Sequence, residues 1–321
     1  MCPLEGLDVM ASGDTPAVAR RLVRLAIRDA RLAKGLTQSN VADAMEWSLS
    51  KVMRIESGEV TISQNDLRPL LGHLGIREKS RVDELIQAAK ASKQRRQWWD
   101  QPKFAGLLTT AMKQWFSFEV EASAMRVFCT TYFPGFLQTP QFARALVERF
   151  DDVLTAEEIT ARIETRTLRR QAIEQRRSRP DARVLLDESV LLRTLGLPEI
   201  LGQQLLEVLH MIDDGWLKVR IAPFTLANPG IGNWEIFFLG EEVPEHAILY
   251  RENGTTDEIV DDARGLQRHL SQWDKNWQES HDEEYSREMI EARASELLGI
   301  DKPADPRIRR GLLPPTPGVR P

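Results

Sequence analysis

Between Gly35 and Gly58 the chain has room for two short helices and nothing larger. Thr37 and Ser48 carry side-chain oxygens that cap helix N-termini, and each precedes apolar positions at helical spacing. Glycine supplies the left-handed conformation that closes a helix. The segment therefore predicts a helix from Thr37 through Met45, a turn of about three residues, and a second helix from Ser48 to Gly58. Helices of two turns are marginal alone in water, so this pair must bury a face on its neighbours. Val41, Met45, Val52 and Ile55 point to that shared core, and Ala42 is small where the second helix crosses closely. Neighbours are present on both sides. Ala17 to Lys34 repeats Val18, Leu22, Leu25 and Leu32 at helical spacing and ends at Gly35. Ser63 caps a further helix with Leu67, Leu70, Leu71 and Leu74 inward, and Arg77 to Gln97 reads as a longer, highly charged helix.

The outer face of the second short helix presents Leu49, Ser50, Lys51, Met53 and Arg54. Such a helix fits the major groove of DNA, with residues near its N-terminus meeting base edges. Charge is distributed to match. The chain carries −5 overall, but residues 16–96 hold 16 Lys/Arg against 9 Asp/Glu, a net +7. Residues 1–15 contribute −3 and residues 97–321 carry −9. A basic unit joined to an acidic remainder points to a polyanion partner for the first part only, or to a basic solvated surface; charge alone leaves both open.

The run Gly35-Leu-Thr-Gln, Val41-Ala42, Ser48 and Ile55-Glu56-Ser-Gly58 resembles the XRE-type, repressor-like helix-turn-helix transcription regulators over about residues 24–76. By that resemblance Thr37 and Gln38 hold phosphate, and Ser50 and Arg54 read bases from the helix that Ser48 caps. Leu49 is available to a thymine methyl, and Lys51 takes a phosphate. Arg31 and Glu56 are expected to form an internal ion pair, as in similar domains. Glu46 stands where the family often has glycine, and a left-handed backbone there would cost about 1 kcal/mol or more. A turn of different shape is the expectation. Structural readings stand beside these: Thr37 is a cap first, Trp47 packs at the turn, Arg54 is a DNA contact or a solvated side chain, and Arg20, Arg21, Arg24 and Arg28 form a solvated face.

Beyond Trp98-Trp99 the composition changes, and seven of the eight tryptophans lie from here to Trp277. A helix fits Trp115 to Val127, another runs from Pro140 through Phe150, and Thr155 caps a long arginine-rich one to about Arg179. Strand-like runs follow at Arg183 to Leu186, Leu217 to Ala222, Trp234 to Leu239 and Ala247 to Tyr250, with a helix from Pro198 to Asp213 between the first two. Asp257 to Trp277 and Tyr285 to Leu298 look helical. Six prolines after Gly299 predict a disordered tail.

The fold class expected is mainly α: an N-terminal repressor-like helix-turn-helix bundle, then a larger α+β domain with a small sheet. The divisions are a flexible leader at 1–15, the helix-turn-helix domain at 16–76, a linker helix at 77–97, the α+β domain at 98–298 and the tail at 299–321.

Phe133-Pro134-Gly135-Phe136-Leu137-Gln138-Thr139-Pro140, Leu186-Asp187-Glu188, Gln203-Gln204-Leu205 and Val219-Arg-Ile-Ala-Pro223 follow in the order of the WhiJ-like, antitoxin-like regulators of actinobacteria. The resemblance covers about residues 98–280. It implies a DNA-binding regulator, often paired with a small companion protein encoded nearby, and it transfers no catalytic residue.

Enzyme chemistry has no foothold in the sequence. No phosphate-binding glycine loop, CxxC pair, HExxH motif or Gly-x-Ser-x-Gly elbow is present, and His73, His210, His246, His269 and His281 lack metal-ligand spacing. Catalytic residues, metals and cofactors are therefore expected to be none. Asp187-Glu188 reads as a structural pair rather than an acid and base, since neighbours on a strand face opposite ways. The aromatics Trp98, Trp99, Trp115, Phe118, Phe128, Phe133 and Phe136 read as core or as a ligand pocket. Arg166, Arg169, Arg170, Arg176, Arg177 and Arg179 read as a solvated or inter-helix face or as an anion patch. Val127 to Ala143, the longest uncharged stretch, is broken by Pro134, Gly135, Gln138 and Pro140 and is not a membrane span. Two cysteines, Cys2 and Cys129, fit a cytoplasmic protein. The expected partners are a double-stranded DNA operator, a second copy in a homodimer and the small companion, with no membrane. The alternatives are an antitoxin that masks a small partner and a small-molecule-gated repressor.

Overall fold

A computed structural model describes residues 16–93, 97–150, 154–176, 179–227, 232–252 and 257–300. The expected leader, Arg177 and the tail beyond Ile300 lie outside them. The described residues up to Glu121 form one compact unit and those from Ala122 a second.

The first unit contains α1 (Pro16–Ala33), α2 (Gln38–Ala44), α3 (Leu49–Glu56), α4 (Gln64–Leu74), α5 (Lys79–Ala91) and α6 (Thr110–Glu121). Its core joins Val23 and Ile27 of α1, Val41 and Ala42 of α2, Val52 and Ile55 of α3, the four leucines of α4, and Leu85 and Ala89 of α5. The inward face of α1 is not the expected one. Val23, Ile27 and Ala19 are buried, whereas Leu32 is 58% exposed and Leu22 only half-buried. Arg21 and Arg24 are buried too, while Arg20 and Arg28 are half-buried, so the four are not the solvated face expected; the long aliphatic stem of arginine lets it be buried against apolar surface. The Glu121 carboxylate accepts hydrogen bonds from the Ala17 and Val18 amides (3.0 and 3.3 Å), a negative charge where a helix N-terminus favours one. Ahead of α6, Trp98 stacks on Phe116 at 5.3 Å and meets Trp99 and Phe104 edge-on.

The second unit runs β1 (Ala124–Cys129), α7 (Pro140–Phe150), α8 (Ala156–Glu174), β2 (Asp181–Asp187), α9 (Ser189–Leu192), α10 (Pro198–Asp213), β3 (Leu217–Ala222), β4 (Asn233–Phe238), β5 (Ala247–Glu252), β6 (Asp257–Val260), α11 (Ala263–Glu279) and α12 (Glu283–Leu298). One mixed sheet has the order β3-β2-β1-β4-β5-β6. β1, β2 and β3 are parallel, joined by helical crossovers, while β4, β5 and β6 form an antiparallel meander on the other side of β1. Side chains of one sheet face, among them Phe128, Leu185, Trp234, Ile236 and Leu249, pack with Leu266 and Trp273 of α11. At the β3 edge the Ile221 amide donates to Ser286 Oγ (2.9 Å) and the Ile221 carbonyl accepts from the His281 amide (3.1 Å), which covers polar groups that would otherwise invite another strand. α10 and α12 pack closely because residue 202 is glycine: a Cβ there would stand 2.7 Å from Leu298 Cγ.

Two sequence expectations fail here. The helix expected over Trp115 to Val127 ends at Glu121, and Ala124–Cys129 is instead the central strand β1. All six of its residues are buried, so the run lacks the alternation that would have marked it. The helix expected from Asp257 begins at Ala263, where the Asp262 carboxylate accepts from the Gly265 amide (2.7 Å); Asp257–Val260 is the edge strand β6. Acidic residues are poor strand formers, yet cross-strand bonds hold them: Tyr250 Oη donates to Asp257 (2.9 Å) and Arg251 pairs with Glu258 (2.6 Å).

The Phe133–Thr139 loop is held from within. Gln204, fully buried on α10, donates to the Leu137 carbonyl and accepts from the Thr139 amide, both at 2.7 Å. Gln138 donates to the Phe133 carbonyl, and Arg166 donates to Gln138. Gly135 leaves space for the buried Arg169 guanidinium, whose Nη1 would be 2.6 Å from a Cβ there. The other described arginines of this run also have internal partners: Arg170 bonds Glu174 and Glu207, Arg176 donates to the Ala122 carbonyl, and Arg179 lies 3.8 Å from Asp214. They fasten the domain rather than stand open to an anion.

Candidate nucleic-acid interface

α2, the turn and α3 are built by backbone capping. Thr37 Oγ1 accepts from the Asn40 amide (3.1 Å) while Asn40 Oδ1 accepts from the Thr37 amide (2.9 Å), a reciprocal cap. Ser48 Oγ accepts from the Lys51 amide (3.2 Å) at the start of α3. Between them the Trp47 amide bonds the Ala42 carbonyl (2.8 Å) and the Glu46 amide bonds the Asp43 carbonyl (3.2 Å). This is the Schellman closure, which needs a left-handed residue at position 46. Glu46 adopts it, with φ of 55°. The expectation of a differently shaped turn is thus wrong: two backbone hydrogen bonds and packing of Trp47 against the core outweigh the strain. Glu46→Gly is expected to raise stability by about 0.5–1 kcal/mol. The urea midpoint should rise at unchanged slope; a fall would show that the glutamate side chain contributes more than the strain costs.

A buried ionic knot ties the motif to α1. Arg31 Nε and Nη2 donate to the two Glu56 oxygens at 2.7 and 2.8 Å, and Arg31 Nη1 donates to the Leu36 carbonyl (2.9 Å). The Glu56 hydrogen bond holds the Arg31 guanidinium above its ordinary pKa despite burial. Gln38 Nε2 completes the knot at Glu56 Oε2 (2.9 Å), so Gln38 orients α2 against α3. Gly58 follows α3 with φ of 77°, a left-handed backbone that favours glycine, and a Cβ there would press on Arg24 Cδ at 3.0 Å.

The resulting face presents Thr37, Ser48, Leu49, Ser50, Met53 and Arg54 to solvent. Leu49 and Met53 are 46% and 50% exposed, although other apolar residues of α3 are buried. Arg54 is exposed, with its Nε 3.5 Å from Glu59. Lys51 is turned aside: its Nζ lies 3.1 Å from Asp66 of α4 and 3.9 Å over the Trp47 ring. The seven residues named from the sequence are thus brought to α3 and the N-terminal end of α2. Sequence reasoning missed the carboxylates of Glu59 and Asp66, which come to the two cations from beyond α3 and from α4. It also missed the Gln38–Glu56 bond, because residues 18 apart carry no periodic signal.

A family model described as a domain of unknown function, DUF5753, matches residues 112–292, more than half of the chain. The chain belongs to the DUF5753 family. A second model, described as a helix-turn-helix domain, matches residues 16–85, which include every element of the face just described. That match suggests a DNA-binding regulator, of a kind typically without enzymatic activity. No curated protein and no solved structure matches the chain. Within the DUF5753 match lie the mixed sheet and the Phe133–Thr139 loop. Asp187 and Glu188 there serve the backbone: Asp187 accepts from the Ser189 amide (2.9 Å) and Glu188 from the Phe224 amide (3.0 Å). Among the described residues no cluster of three or more His, Cys, Asp or Glu is arranged to hold a metal, and no helix is long and apolar enough to cross a membrane.

Proposed function

We propose that this protein is a cytoplasmic, sequence-specific transcriptional regulator of the XRE type, with α3 as its DNA-reading helix and no enzymatic activity of its own. The observation that carries the reading is α3 itself: capped, braced through Glu56 and Arg31, and exposing Leu49, Ser50, Met53 and Arg54 from a basic unit. Residues 16–76 are the DNA-binding domain, α5 within 77–97 adds Leu85 and Ala89 to its core, and the control domain expected at 98–298 is the compact unit from Ala122. The DUF5753 domain is the dimerisation and control surface, and by its WhiJ-like resemblance it receives a small companion protein. A twofold dimer would read two half-sites about 34 Å apart.

Ser50 and Arg54 read bases, Thr37, Gln38 and Ser48 approach the backbone, and Lys51 leaves Asp66 to take a phosphate. Arg54→Ala should cost about 1–3 kcal/mol and relax specificity at one base position. Lys51→Ala should weaken binding to all sequences alike and reduce the salt slope by about one unit. The test is DNA-affinity sequencing of the full-length protein on fragmented host genome, beside Arg54→Ala. An inverted repeat lost in the variant supports the reading. Equal loss on every sequence sinks Arg54 as a base reader, and no enrichment by the parent protein overturns DNA reading in favour of a partner-masking module.

A further inference from the structure

We infer that Met53 is a specificity residue that reads the 5-methyl group of thymine, extending the contact open to Leu49 into an apolar stripe along α3. The inference rests on α3 being the DNA-reading helix. Val52 and Ile55, on the same helix, are 2% and 3% exposed, so the core of the unit is already supplied with apolar side chains. Met53 and Leu49 nevertheless stand about half in water. Four residues apart, they share one face, about 6 Å from one to the other along the axis. Ser50 and Arg54 make a parallel polar stripe at the same spacing. Lys51 does not lie across the apolar stripe, because Asp66 and Trp47 hold it to the side.

The two stripes differ in what they can recognise. In the major groove the purine acceptors suit a guanidinium, whereas the thymine methyl is the apolar group that a base edge offers. Duplex DNA is favoured over an apolar protein partner on two grounds. The stripe is one side chain wide, between the exposed Ser50 and Arg54 on one flank and the buried Val52 and Glu56 on the other, too narrow for the broad apolar face of a packed helix. It also sits on a segment, residues 16–96, of net charge +7. A polyanion with methyl groups on its floor satisfies both charge and stripe.

The experiment begins with selection of sites from random duplexes by the full-length chain. Affinity is then measured on the selected site and on copies in which each thymine in turn is replaced by deoxyuridine, which removes only the methyl. The parent protein should lose about fourfold at one position facing α3, the effect of withholding one methyl-sized group from burial. Met53→Ala should bind the unmodified site about fourfold more weakly and show no further loss at that position, while Met53→Leu should keep most of the discrimination. An unchanged melting temperature in Met53→Ala, expected of a half-exposed side chain, separates this from misfolding. A selected half-site without thymine, or a deoxyuridine penalty the same in Met53→Ala as in the parent at every position, overturns the inference and leaves DNA reading intact. No enriched sequence at all overturns the DNA-reading assignment and this inference with it.

Discussion

Arg31→Met should destabilise the helix-turn-helix unit by about 3–5 kcal/mol, the loss expected when one partner of a buried ion pair is removed. Glu56 is 6% exposed and takes two charge-assisted hydrogen bonds from Arg31; the substitution leaves it with the Gln38 amide. The carboxylate is then left short of partners in a buried place, or must admit water into the contact of α1 with α3. A methionine keeps most of the volume, so the loss reports charge rather than a cavity. Urea unfolding with amide hydrogen exchange is the check: protection should fall across α2 and α3. The double variant Arg31→Met/Glu56→Met should recover much of the loss, because both desolvated charges are gone. A single-variant loss below about 1 kcal/mol would show that the knot is solvated and does not brace the reading helix.

Trp273→Ala should cost about 3–5 kcal/mol in the DUF5753 domain, the range for removing a large buried aromatic. Trp273 is 2% exposed, meets Trp234 of β4 edge-on at 5.7 Å and stacks on Trp277 at 5.3 Å. It is the wedge between α11 and the sheet face that includes Phe128 and Ile236. The near-ultraviolet circular dichroism of the tryptophan cluster should weaken, and exchange should quicken in β4, β5 and α11 while α1 to α5 keep their protection. A loss under 1 kcal/mol would mean that α11 contributes little to the domain's core.

Residues that act through their own backbone were legible from the start. Thr37, Ser48, Ser63, Thr155, Gly35 and Gly58 stand at helix boundaries, because a cap depends on a hydrogen bond three residues away or on a left-handed angle at one residue. The strands β2 to β5 were legible as runs rich in apolar or β-branched residues. β1 and β6 were not. One is buried on both faces and so has no alternation, and the other is made of residues that a strand tolerates only when a neighbour pairs with them. The arginines of α1 misled for a related reason: the aliphatic stem of arginine lets it be buried, and periodicity counts it as polar.

The interface divides along the same line. Chain-local chemistry sets two short helices, their order and the residues on the outer side of the second, since a period of 3.6 residues fixes which side chains share a face. It cannot decide which of those side chains are free. That Lys51 is held by Asp66, that Gln38 serves Glu56, and that Leu49 and Met53 stay in water depends on α1 and α4 arriving from elsewhere in the chain. Even the strained angle at Glu46 is a tertiary outcome. Its local cost of about 1 kcal/mol argues against it, and only the closure of α2 and the seating of Trp47 on the core make it the lower free energy.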